Sequence, residues 1–155
     1  MQLSASVDSS FAENWRELET RSQTGCLIFL AGGPVSFCSI RQPNNPFSTA
    51  DSEMQALAVA LKELMWLRNM LEAAGFPQEA IQVAEDNAAV VAITSNPSTT
   101  NATKHLVVRY LWIKEQLSLG HFTLVQTPTD QQLADMLTKS LSKDVFDRHR
   151  AACMG

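Results

Sequence analysis

The chain has 155 residues, 45% apolar and 18% charged, which is one domain's worth of sequence with enough apolar residues for a core; a disordered tail or a charged repeat is excluded. A net charge of −4 and a pI near 5.3 exclude a domain that clings to nucleic acid by bulk positive charge, though not a nucleic-acid enzyme whose acidic residues hold metal. The three cysteines, Cys26, Cys38 and Cys153, have no metal-ligand spacing and cannot all pair, so they read as reduced thiols of an intracellular protein.

Residues 1–10 are too polar for a signal peptide. Leu3, Ala5 and Val7 are spaced by two, which predicts a short strand ending at Asp8. A polar stretch follows, and then residues 26–31 form an apolar run that reads as a buried strand. Gly32-Gly33 predicts a tight turn, after which residues 34–40 return antiparallel to the run before them. The longest charge-free stretch, between Arg21 and Arg41, is broken by these glycines and Pro34 and is no membrane span. Residues 42–48 carry two prolines and two asparagines and form a loop.

The clearest helix covers about 49–74. Ser48 or Thr49 caps it, Asp51 lies in its first turn, and Met54, Leu57, Ala58, Leu61, Leu64, Met65 and Leu71 make its apolar stripe. Met65 and Trp66 read as core. Gly75 and Pro77 end the helix. Residues 81–85 predict a strand running into Asp86, 87–94 a short helix and 104–119 a second long helix. Residues 122–126 predict a last strand, and 131–152 a helical tail broken near Ser142. A hairpin followed by strand–helix–strand units implies a mixed sheet covered by helices, and residues 1–155 read as a single domain.

Four acidic residues fall at the boundaries of these elements. Asp8 and Asp86 end strands, while Glu53 and Asp135 lie in the first turns of helical segments. Sites in open α/β sheets form beyond the carboxyl ends of strands. Hard divalent ions take carboxylate oxygens, and two ions about 3.5–4 Å apart can clamp both the attacking and the leaving oxygen of a phosphodiester. By spacing alone, Glu53 and Asp135 are equally well explained as helix-dipole partners, worth about 0.3–1 kcal/mol each.

The local sequence narrows the choice. Ser6-Val7-Asp8-Ser9-Ser10-Phe11-Ala12, Thr20-Arg21-Ser22-Gln23-Thr24-Gly25, Gly33-Pro34-Val35-Ser36-Phe37 and Arg41-Gln42-Pro43 resemble, in order, the ribonuclease H domain of copia-type retrotransposon Pol polyproteins. The likeness continues through Ser48-Thr49-Ala50-Asp51-Ser52-Glu53-Met54-Gln55-Ala56-Leu57, Lys62-Glu63-Leu64-Met65-Trp66-Leu67-Arg68 and Glu85-Asp86-Asn87-Ala88-Ala89. It ends with Thr103-Lys104-His105 and Gln132-Leu133-Ala134-Asp135-Met136-Leu137-Thr138-Lys139, and so spans nearly the whole chain.

The resemblance implies an α/β fold of the ribonuclease H-like type: a five-stranded mixed sheet, an antiparallel hairpin plus parallel strands, with helices on both faces. It implies endonucleolytic hydrolysis of the RNA strand of an RNA–DNA hybrid, leaving 5′-phosphate and 3′-hydroxyl ends. The acidic quartet falls on Asp8, Glu53, Asp86 and Asp135, holding two Mg²⁺ ions for which Mn²⁺ can substitute. Asp8 would bridge both ions, Asp135 complete the ion that activates water, and Glu53 and Asp86 hold the ion at the leaving oxygen. Asp51 is a weaker candidate for the slot given to Glu53. The implied partners are the hybrid and the reverse transcriptase domain of the same polyprotein, with no membrane. The implied location is intracellular, in the cytoplasm or a virus-like particle.

Three departures from the family stand out. Ser10 occupies a position where these domains usually carry a second Asp, and Phe11 one where Trp is usual. The loop 127–131 before the last Asp holds no histidine, unlike that of cellular ribonucleases H, but copia-type domains have a similarly short loop, so this reads as a trait of the family. Arg21, Arg41, Lys104 and Lys139 lie in segments beside the expected site and could meet phosphate or form surface ion pairs. His105 could meet the backbone of the nucleic acid or bond within the protein. Asn87 could reach a base edge or a ribose hydroxyl, or cap the short helix after it. His121 and His149 read as surface or structural residues. Two rival functions fit the same fold: a non-catalytic hybrid-binding or tethering domain, and another nuclease of the ribonuclease H-like superfamily.

Overall fold

The computed structural model describes residues 1–11, 21–95 and 107–154. In chain order the described elements are β1 (Leu3–Ser10), β2 (Gln23–Leu30), β3 (Gly33–Arg41), α1 (Thr49–Ala73), β4 (Ile81–Glu85), α2 (Ala88–Ser95), α3 (Val107–Ser118) and β5 (Phe122–Gln126). Two 3-10 turns follow, Thr129–Gln131 and Leu133–Leu137, and then α4 (Lys143–Met154). The strands form one open sheet in the order β3-β2-β1-β4-β5. The β1–β2 and β2–β3 pairs are antiparallel, and β1–β4 and β4–β5 are parallel. This is the mixed sheet implied by the element order.

Strand alternation divides the two faces. Leu3, Ala5 and Val7 of β1, with Cys26 and Ile28 of β2 and Val83 of β4, turn toward α1, whose Leu57, Leu61 and Leu64 are fully buried. Val90 of α2 and Tyr110 and Ile113 of α3 join this main core. Leu27 and Phe29 turn to the other face, where Cys153 of α4 and Leu133, Met136 and Leu137 cover them. Helical segments therefore pack on both faces. All three cysteines are free thiols.

Local rules fix the boundaries. Ser48 Oγ accepts from Asp51 N at 3.1 Å, and Asp51 Oδ2 accepts from Phe47 N at 2.9 Å, a reciprocal cap that starts α1. Gly75, at φ 86°, ends it, with Phe76 N donating back to Leu71 O.

Three expectations need correction. The hairpin turn falls on Ala31-Gly32, not Gly32-Gly33, because the β2–β3 ladder closes at the Leu30–Gly33 pair; both turn residues take positive φ, 53° and 84°. Trp66 is not core but 60% exposed, since its position on α1 lies off the stripe of Leu61, Leu64 and Leu67. The stretch 131–152 does break near Ser142, with α4 starting at Lys143, but before the break it forms 3-10 turns rather than an α-helix. Gln132 is extended (φ −74°, ψ 99°) and buried, with Nε2 donating to Val7 O at 2.9 Å, and this anchorage interrupts helical continuation before the Leu133–Leu137 turn.

Candidate active site

The parallel β1–β4 register pairs Ser6 with Ala84, so continuing it by two residues sets Asp8 beside Asp86 at the carboxyl ends of both strands. The first turns of α1 deliver Glu53 to the same edge. One carboxylate oxygen from each of Asp8, Glu53 and Asp86 lies within 4.8 Å of the others. Together with Ser9, Ser10, Phe11, Thr49, Asn87 and Lys139 they line an open cleft of about 370 Å³.

Asp135 reaches this edge differently. It lies in the Leu133–Leu137 3-10 turn rather than in an α-helix. Ser6 Oγ accepts from Ala134 N at 3.0 Å and is hydrogen-bonded to Gln132 Oε1, while Ser39 Oγ donates to Leu137 O at 2.6 Å. These bonds press the turn onto the sheet. Asp135 stands outside the three-carboxylate group and is joined to it through Lys139, whose ammonium lies 2.8 Å from Asp135 Oδ1 and 3.2 Å from Asp8 Oδ1. Thr138 Oγ1 donates to the other oxygen of Asp8.

Burial shapes the electrostatics. It is the main cause raising Glu53 from 4.5 to about 9, with the charges of Glu85 and Asp8 adding to it. Burial likewise raises Glu85 to about 8, against the lowering effect of Asn87 N, which donates to it. Asp8 is raised as well, burial outweighing Thr138 and Lys139. Burial alone would lower Lys139, but hydrogen bonding to Asp135 and the charge of Asp8 reverse this and raise it.

The residues fit a hard divalent cation. The donors are carboxylate oxygens, and Glu53 Oε2 is buried with no hydrogen-bond partner among the described residues. Such an atom is costly to leave bare, and a divalent ion would satisfy it.

The remaining candidates separate. Asn87 Oδ1 accepts from Ala89 N at 3.0 Å and Val90 N at 3.3 Å, capping α2, while the residue also lines the cleft. Arg21 precedes β2 and Arg41 ends β3; both are exposed, at the end of the sheet where Ser10 pairs with Gln23 and Gln23 with Arg41. Lys104 and His105 lie outside the described residues. His149 is buried, its Nε2 3.3 Å from Asp130 O, and His121 Nδ1 lies 3.1 Å from Gln116 Oε1.

Glu85 and Thr138 are additions that sequence reasoning missed. Glu85 was within reach, since it shares the strand parity of Ile81 and Val83, both buried. Thr138 carried no such signal, because its contact depends on the path of the 133–138 segment.

No family model matches the chain. It is 32% identical over 127 residues to the retrovirus-related Pol polyprotein from transposon TNT 1-94 of Nicotiana tabacum, covering 82% of this chain and 10% of that protein. It is 29% identical over 126 residues to the corresponding polyprotein from transposon RE1 of Arabidopsis thaliana, covering 81% and 9%. The chain thus spans about a tenth of the length of these relatives. In structure it is similar to LC11-RNase H1, isolated from compost by a metagenomic approach, with a TM-score of 0.67 at 16% identity, covering 95% of this chain and 96% of that one. LC11-RNase H1 in complex with RNA/DNA hybrid gives 0.65 at 16% identity, covering 88% and 93%. At these identities the structural likeness is one of fold.

Proposed function

We propose that this chain, homologous to a segment of the retrovirus-related Pol polyproteins of plant transposons and built on the ribonuclease H fold, is a copia-type ribonuclease H that cleaves the RNA strand of RNA–DNA hybrids. The observation that carries the reading is the convergence of Asp8, Glu53 and Asp86 at the carboxyl edge of β1 and β4, with Asp135 held beside Asp8. A single chain supplies four carboxylates to one edge of a sheet, three of them buried, an arrangement costly without a cation to share.

Asp8, Glu53 and Asp86 would hold one Mg²⁺, and Asp8 with Asp135 a second, Mn²⁺ being able to replace either. Bound there, the ions supply the positive charge that activates water and stabilises the leaving oxygen of a phosphodiester. The protein's own part is positional. Thr138 fixes one oxygen of Asp8, and the Ser6 and Gln132 bonds fix the segment bearing Asp135. Burial strips water from Glu53, so an ion that displaces its proton would meet a carboxylate with little water left to shed. Products would carry 5′-phosphate and 3′-hydroxyl ends. Arg21, Arg41, Lys104, His105 and Asn87 are the proposed contacts to the hybrid, with Asn87 placed in the cleft beside Asp86.

In its polyprotein the domain would act on template copied by the reverse transcriptase domain, in the cytoplasm or in a virus-like particle. Among the described residues no helix is long and apolar enough to cross a membrane. The test is to incubate labelled RNA–DNA hybrid, duplex DNA and duplex RNA with the protein, with and without Mg²⁺ or Mn²⁺. Cleavage confined to the RNA of the hybrid and dependent on the ion is expected; cleavage of all three, or of none, contradicts the reading.

A further inference from the structure

Among the described residues, Lys139 is the cation in direct contact with two of the four carboxylates. Its ammonium lies 2.8 Å from Asp135 Oδ1 and 3.2 Å from Asp8 Oδ1, and thus fills the gap between them. The backbone holds it there, since Lys139 N donates to Asp135 O at 2.9 Å. By contrast, the three-carboxylate group of Asp8, Glu53 and Asp86 contains a buried oxygen, Glu53 Oε2, without a hydrogen-bond partner among the described residues. The two halves share Asp8 but are unlike: Lys139 sits between Asp8 and Asp135, whereas among the described residues no ion pair is formed by Glu53 or Asp86.

We infer that Lys139 holds the place of the second divalent ion: its ammonium closes the gap between Asp8 and Asp135 and leaves it when those carboxylates take up metal. The inference rests on the metal-site reading above and adds an order to it. An ion entering at Asp8, Glu53 and Asp86 meets, among the described residues, no cation paired with Glu53 or Asp86, and only the longer of the two Lys139 contacts, 3.2 Å, at Asp8. An ion entering between Asp8 and Asp135 must displace an ammonium already paired with both, because two cations cannot share that gap. Loading is sequential for this reason, and the second ion is the weaker.

Lys139 has somewhere to go. Its side chain is 30% exposed and lines the cleft with Ser10, Phe11 and Asn87. Once displaced, its next anionic partner is a phosphate of bound nucleic acid, so second-ion uptake and substrate contact reinforce each other. By reciprocity, a phosphate that draws Lys139 into the cleft strengthens the second ion.

Mn²⁺ binding to the protein alone, followed by calorimetry and by the paramagnetic resonance of free Mn²⁺, tests this without turnover. The wild type is expected to bind a first ion and, at least about fivefold more weakly, a second. Lys139→Met is expected to strengthen the second ion by about fivefold or more and to leave the first within about twofold, while Lys139→Arg keeps the wild-type gap. A Mg²⁺ titration of the wild type, read on the ¹⁵N signal of the Lys139 ammonium, needs no variant: the signal should move with the second equivalent and not with the first. A first ion that binds normally beside a second that ignores Lys139→Met overturns this inference alone, as does an ammonium signal unmoved when both sites are full. Failure of the wild type to bind Mn²⁺ at all overturns the metal-site reading and this inference with it.

Discussion

Gly25 pairs with Asp8 across the β1–β2 ladder, and its missing side chain is what lets the 133–138 segment approach the aspartate. A Cβ at Gly25 would lie 2.6 Å from Thr138 Cγ2, 2.9 Å from Ala134 O and 3.1 Å from Leu137 Cβ. The backbone carbonyl cannot rotate away, so the segment itself has to lift. Gly25→Ala is expected to cost about 1–3 kcal/mol in urea unfolding, the usual range for overpacking. Hybrid cleavage should fall further than that loss of folded protein explains, because Thr138 and Asp135 move off Asp8. Full activity in a folded Gly25→Ala variant would show that the close approach does not position the site.

Stability without metal should fall as pH rises. Glu53 and Glu85 titrate at about 9 and about 8 in the folded chain, against an ordinary 4.5. Between those values the folded state holds more protons than the unfolded state, so the stabilising contribution is full below the ordinary value and is lost as pH rises through the folded ones. Thermal unfolding in chelator should show Tm declining from about pH 5 to about pH 9, with the slope reduced by Glu53→Gln or Glu85→Gln. A Tm that climbs steadily across this window would contradict the sign.

Ion binding should release protons. Near neutral pH the folded chain holds Glu53 protonated, and a carboxyl must ionise to ligate a divalent cation. Calorimetric titration with Mn²⁺ in two buffers of different ionisation enthalpy reads the number released. A fraction approaching one proton is expected at neutral pH for the wild type, falling toward zero in Glu53→Gln. Equal heats in the two buffers would place Glu53 outside the ion's ligands.

Hybrid binding by this chain alone should be weak and salt-sensitive. The net charge is −4 and Lys139 is paired with carboxylates; Arg21, Arg41 and Lys104 are the proposed phosphate contacts. Each neutralised phosphate steepens the fall of log affinity with log salt by slightly under about one unit. Arg21→Ala, Arg41→Ala and Lys104→Ala are each expected to flatten that slope. Salt-insensitive binding, or three variants that all keep the wild-type slope, would contradict the assignment.

Much of the fold was legible because its signals are local. The period-two run of Leu3, Ala5 and Val7, the Ser48–Asp51 cap and the Gly75 stop each act within a few residues, and the structure reproduces all three. The segment 129–142 was not legible, because its form is set by Gln132 reaching across to Val7 O and Ser6 contacting Ala134, bonds between residues over a hundred positions apart. Trp66 misled for a related reason: apolar character on a helix says nothing of which face the sheet covers. At the site, Asp8, Glu53 and Asp86 could be placed by element boundaries, whereas the Lys139 and Thr138 contacts to Asp8 depend on tertiary geometry alone.

The account turns on Asp8, which Thr138 and Lys139 both contact and whose carboxylate lies within 4.8 Å of those of Glu53 and Asp86. Asp8→Asn keeps the shape and the acceptor for Thr138 but removes the charge that Asp8 would share with metal. The decisive measurement is cleavage of end-labelled RNA in a hybrid by wild type and Asp8→Asn with Mg²⁺ or Mn²⁺, alongside hybrid affinity and Tm for both. The account predicts ion-dependent cleavage by the wild type and a loss of at least about a thousandfold in the variant, with affinity and fold retained. Wild-type turnover by a folded Asp8→Asn protein would contradict it.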